Sequence, residues 1–93
     1  MTYQDALKIT VENLEEIQSI SGFEKVPINE NTIPIGDIPG FDSLNGVEFA
    51  SMIDKVVNIG KIVNFCASKD GKIALTVHDI AKRILEETSI REK

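Results

Sequence analysis

The chain has 93 residues, a net charge of −5 and one cysteine. A length of this order fits one domain that buries about 60–65% of its unfolded surface, enough for a thin core layer but not for a deep catalytic cleft. The acidic balance argues against general nucleic-acid binding, which needs a basic face, and a lone Cys66 makes no intrachain disulfide and fits a reducing cytoplasm.

No run of 18 apolar residues exists, so no transmembrane helix is expected. The opening MTYQDALKIT carries Asp5 and lacks a basic-then-apolar leader pattern, which argues against secretion. Charge is uneven along the chain. Residues 1–42 hold eight acids against two bases, and residues 43–93 hold seven acids against eight. The acidic part suits a partner presenting Lys and Arg, although a plainly solvated surface explains most of these charges equally well.

A first helix is predicted over residues 3–19. Thr2 is placed to cap it, with Asp5 completing a capping box, and Leu7, Val11, Leu14 and Ile17 recur at helical spacing. Ser21-Gly22 ends it. Residues 21–42 carry three prolines and three glycines and are read as one long connection. Its apolar residues, among them Phe23, Val26, Ile28, Ile38 and Phe41, predict that it packs across the helices. A connection of this length in a small domain usually has a function.

The second helix is predicted from Ser43 to about Asn58, with Gly60 as its stop. In the segment 61–75 the pair Asp70-Gly71 marks a turn. A short extra helix on one side of it, or none, is expected, and a hairpin flanked by Ile62, Val63, Ile73 and Leu75 ranks below that. Thr76 caps the last helix, with Asp79 three residues on and an apolar stripe of Val77, Ile80, Ala81, Ile84 and Leu85. Residues 89–93 are expected to fray.

On a helical wheel the second helix has an apolar arc of Phe49, Ala50, Met52, Ile53, Val56 and Val57, its expected core face. Glu48, Ser51, Asp54 and Lys55 fall opposite. Leu44 and Val47 fall among them, beside Ser43. Two apolar residues there suggest a docking patch, unless the long loop covers them. Ser43 itself opens a helix, where unpaired N–H groups and a partial positive charge would stabilise a phosphate ester. Asp42 is placed to orient that hydroxyl, to bind a metal ion carried by a modifying enzyme, or simply to act as the N-cap, as such residues do in most helices.

Gly40-Phe41-Asp42-Ser43-Leu44, followed by Val47-Glu48-Phe49, resembles the G-x-D-S-L motif of the acyl carrier protein family. The helix order and the Thr-Val-x-Asp-Ile opening of the last helix extend the resemblance over nearly the whole chain. It implies an all-α, acyl-carrier-like bundle of three long helices with a long first loop, as a single domain over 1–93. It further implies that Ser43, supported by Asp42, receives 4′-phosphopantetheine from coenzyme A. The arm would hold acyl or aminoacyl groups as thioesters for a lipid, fatty-acid, polyketide or related biosynthetic pathway.

By the same resemblance the chain is a non-catalytic, monomeric cytoplasmic carrier. Its partners would be a phosphopantetheinyl transferase, an acyl- or aminoacyl-loading ligase and a downstream acyltransferase or synthase. They would dock on Leu44, Val47, Glu48, Ser51 and Asp54, and a slot lined by Phe49, Ile53, Val57, Val77 and Ile80 would shelter the cargo, unless these residues are ordinary core. Asn45 stands where the family often has an acid, as does Lys55, and Lys61, Lys69 and Lys72 replace an acid-rich third helix. These departures point to a specialised carrier with dedicated partners. The alternative is an unmodified carrier-fold adaptor acting through Leu44, Val47 and the acidic first helix. Cys66 and His78 lie far apart in sequence without an orienting third group, and are read as buried filling and a solvated polar residue. Tyr3 and Met52 are expected in the core.

Overall fold

A computed structural model describes the backbone of residues 1–92 and the side chains through Ser89. The described residues form an all-helical bundle of four helical elements: α1 (Tyr3–Ile20), α2 (Pro34–Asp37), α3 (Ser43–Val57) and α4 (Val77–Glu92). No described helix is long and apolar enough to cross a membrane.

The start of α1 is fixed by a reciprocal capping box. The Asp5 N–H donates to Thr2 Oγ1 at 3.2 Å, and the Thr2 N–H donates to Asp5 Oδ2 at 3.0 Å. Two donors that the helix leaves orphaned are thereby satisfied. At the other end Ser21 is the C-cap, and Gly22 takes a left-handed φ of 69°. Ala6, Leu14 and Ile17 are buried and join Phe49, Ile53, Val77, Ile80, Ala81 and Ile84 of α3 and α4 in one core cluster. α1 packs on both α3 and α4 and is the central helix of the bundle.

The long connection packs across the helices, as its apolar residues predict. Ile38 and Phe41 are buried in the core, and Phe23, Val26 and Ile28 lie partly buried against it. Within it α2 is a single irregular turn in which Ile35 and Gly36 leave helical dihedrals. Polar bonds hold the connection in place. Gln18 Oε1 accepts the Val26 N–H at 2.9 Å, and Asp37 Oδ2 accepts the Ile33 N–H at 2.8 Å. At α4 the Val77 and His78 N–H groups donate to the carbonyls of Thr32 and Glu30, at 2.8 and 2.9 Å. Thr76 Oγ1 accepts the Asp79 N–H. The loop ahead of α3 thus supplies part of the N-terminal cap of α4.

Two expectations are corrected, the stop of α3 and the burial of Tyr3, Met52 and Val56, and one left open is resolved: of a short extra helix or none, none forms within 59–75. That segment crosses the bundle irregularly, with one isolated antiparallel bridge, Ala67 to Ala74, around the Asp70-Gly71 turn. The lower-ranked hairpin is the nearer description. Arg83 fixes the segment from α4: its Nη1 donates to the carbonyls of Asn64 and Ala67, at 2.8 and 2.7 Å, and its guanidinium lies 5.8 Å from the Phe65 ring centre. The stop of α3 is Asn58, in the left-handed conformation at φ 53°, rather than Gly60. Tyr3 and Met52 are only partly buried, and Val56 is exposed. The α4 backbone is helical through Glu92, within the stretch 89–93 expected to fray, and Lys93 lies outside the described residues.

Candidate functional site

The approach to α3 is sterically tight. Gly40 has φ 87°, and a Cβ placed on it would stand 2.9 Å from the Phe23 ring. Only glycine fits both the dihedral and the ring. Three residues later the chain turns into α3 at Ser43, through the N-cap Asp42.

Of the three roles open to Asp42, capping is the one its carboxylate performs here. Asp42 Oδ1 accepts the N–H groups of Leu44 at 3.0 Å and Asn45 at 3.3 Å. Asn45 Oδ1 accepts the Asp42 N–H in return, at 3.0 Å. Asn45, a departure from the family pattern, thus completes a second capping box. Its sequence signal is the D-x-x-N spacing, the same three-residue offset as Thr2 and Asp5, which the sequence reading did not use. Ser43 is exposed at the first position of the helix. Among the described residues no hydrogen bond engages its hydroxyl.

Around Ser43 the long loop leaves Leu44 and Val47 uncovered, at 76% and 55% exposure. Glu48 is exposed and Ser51 partly buried, so these five residues share the outer side of α3. Asp54 differs. Its carboxylate accepts the Gly60 N–H at 2.6 Å, which pins the chain leaving the helix. The opposite face carries Gly46, Phe49, Ala50 and Ile53, all buried. Residues 64–66 lie close over Gly46: a Cβ there would stand 3.7 Å from Asn64 Oδ1 and from Cys66 Cβ. The expected slot residues Phe49, Ile53, Val77 and Ile80 are fully buried members of the packed core, and Val57 is partly buried against it.

Cys66 and His78 are not brought together as a reactive pair. Burial pushes the Cys66 thiol up to about 12, against a smaller opposing pull from Arg83, so at neutral pH it stays protonated and a poor nucleophile. His78 is exposed, and its Nδ1 lies 2.7 Å from the Tyr3 hydroxyl, which also donates to Glu30 Oε1 at 3.3 Å. Among the described residues no group of three His, Cys, Asp or Glu side chains is placed to hold a metal ion. No family model, curated protein or solved structure matches this chain. The geometry around Ser43 and the motif that surrounds it are therefore what a functional reading rests on. The residues of α1 that border the outer side of α3, Glu16 and Ile20 among them, were missed from sequence because each helix was read alone.

Proposed function

We propose that the chain is a carrier protein of the acyl-carrier type, holding acyl or aminoacyl groups on a 4′-phosphopantetheine arm attached to Ser43. The observation that carries this reading is the exposure of a serine at the first position of a helix, inside the sequence Gly40-Phe41-Asp42-Ser43-Leu44. The fit is local and chemical. The serine oxygen is accessible, and the neighbouring carboxylate is turned to the backbone instead of holding that hydroxyl. The N-terminal end of α3 favours a phosphodiester through its partial positive charge.

In the attachment step the Ser43 oxygen bonds to the phosphorus of coenzyme A that bears the pantetheine. The pyrophosphate P–O bond breaks, 3′,5′-adenosine diphosphate leaves, and the hydroxyl proton passes to a base of the transferase. Once attached, the group supplies a terminal thiol for thioester carriage. The protein contributes attachment and recognition. Leu44 and Val47 form the apolar part of the docking face beside the serine, with Glu48 and Ser51 at its edge. Asp54, tied to Gly60, serves the shape of that face more than its charge.

Intact mass spectrometry after incubation with coenzyme A and a broad-specificity phosphopantetheinyl transferase tests the reading. One added phosphopantetheine, absent in Ser43→Ala, is the expected result. An unchanged mass with several transferases would reject it in favour of an unmodified adaptor working through Leu44 and Val47.

A further inference from the structure

α3 and α4 each pack on α1, and residues 64–67 run as a strap between the two. On one side the strap meets α3. A Cβ on Gly46, about one turn on from Ser43, would stand 3.7 Å from Asn64 Oδ1 and from Cys66 Cβ. That is ordinary contact, so the gap there is about one carbon wide. On the other side Arg83 of α4 donates to the carbonyls of Asn64 and Ala67, and its guanidinium lies over the Phe65 ring. Between these two attachments Phe65, Cys66 and Ala67 are buried. Phe65 and Cys66 belong to the same core cluster as Phe49, Ile53, Val77 and Ile80, four of the residues expected to line a slot. An aromatic ring therefore fills the space in which a slot between α3 and α4 would open.

The troughs lie on the outside. One of about 510 Å³ runs between α1 and α3, and one of about 280 Å³ lies between the strap and α4. Neither is lined by any of the five expected slot residues. A sheltering site encloses about 70–90% of its ligand, which an open trough does not. A long alkyl chain on the arm would thus stay in water or fold back onto Leu44 and Val47, the exposed apolar residues beside Ser43. The first leaves its methylenes hydrated, which is unfavourable. The second covers the face offered to partner enzymes. A short acyl group, or an aminoacyl group with its charged amine, incurs neither.

We propose that the strap keeps cargo out of the bundle, and that the carrier serves short or polar acyl groups, aminoacyl groups included, rather than long alkyl chains. The inference rests on the carrier reading and narrows its cargo. Phe65 is the plug, and Arg83 holds the plug in place. Both set the chain length that the carrier accepts without touching the thioester.

The test uses the full-length protein, labelled with ¹⁵N. A broad-specificity phosphopantetheinyl transferase loads it with acetyl- or octanoyl-coenzyme A, and intact mass confirms each product. The two forms should share amide shifts at Phe49, Ile53, Val77 and Ile80 and differ only around residues 43–48. Hydroxylamine should cleave both thioesters at rates within about twofold, because neither is shielded from solvent. Phe65→Ala should open the slot. Octanoyl-dependent shifts then spread to Ile53 and Ile80, and cleavage of the octanoyl thioester slows about tenfold relative to the acetyl form. Arg83→Met, which leaves the core side chains in place, should do the same in part, and circular dichroism shows which variants are folded. Core shifts or slowed cleavage in the octanoyl parent would overturn the inference and leave the carrier reading standing. A folded variant that still keeps the octanoyl chain outside would also overturn it. Failure of the parent to load would reject the carrier reading and the inference with it.

Discussion

Replacing Arg83 by Met should loosen residues 64–75 without breaking α4. One guanidinium nitrogen satisfies two carbonyls, those of Asn64 and Ala67. Hydrogen bonds from a charged donor contribute about 1.5–3 kcal/mol each when shielded. Arg83 is only partly buried, so the low end applies, and the two together are worth about 2–3 kcal/mol. That is a large share of the roughly 5–15 kcal/mol that stabilises a domain of this size, and corresponds to a fall in Tm of about 10–20 °C. Met also takes the guanidinium away from the Phe65 ring, so the loss reports the two bonds together with that contact. Arg83→Lys should fall between, because an ammonium lacks the planar fork.

A second readout sits inside the same segment. Cys66 is buried between Phe65 and Ala67 and reacts only when the segment opens. If opening becomes easier by about 2 kcal/mol, labelling by a disulfide reagent under native conditions should speed up about thirtyfold. Urea unfolding and the labelling rate are measured on the same samples. A loss below about 0.5 kcal/mol with an unchanged labelling rate would refute the role given to Arg83.

Gly40→Ala should destabilise the fold by about 1–3 kcal/mol through its left-handed φ and the clash with Phe23; thermal unfolding measures it, and Phe23→Ala in the same chain should recover the clash but not the backbone strain. The Thr2 backbone and side chain hold the Asp5 carboxyl below the usual carboxylate range, and Ser68 with the Lys72 N–H does the same for Asp70. Both contributions are complete above the ordinary carboxylate value of 3.8 and disappear as pH falls through the lower folded values. Acid unfolding of Asp5→Asn and Asp70→Asn should therefore be flatter below about pH 4 than that of the parent. The phenol of Tyr3, the single tyrosine, is pushed above 10.0 by desolvation and by Glu30, so its ultraviolet titration should have a raised midpoint that Glu30→Gln brings down. Any stability tied to the neutral phenol is present below 10.0 and lost as pH rises through the folded value.

α1, α3 and α4 were legible because their signals are local. Thr2 with Asp5, Thr76 with Asp79 and the apolar repeats all act within a few residues of each other. The course of 59–75 was not legible, because Arg83 holds it from a helix that comes later in the chain. The tie of Asp54 to Gly60 was not legible for a related reason: the Gly60 N–H lies past the end of its own helix. On α3 the wheel placed Leu44 and Val47 outward, as found. It also placed Val56 inward, since a wheel assumes that a neighbouring helix covers the whole apolar arc. α1 leaves that edge open, so Val56 stays exposed.

The carbonyls of Glu30 and Thr32 that accept from His78 and Val77 bear on the order in which the newly made chain acquires its shape. On a ribosome the stretch leading to Ser43 emerges long before residues 77 and 78 exist to fasten it. That stretch settles only when the final third of the polypeptide has been delivered, so the finished molecule, not the nascent one, presents the serine in its folded setting.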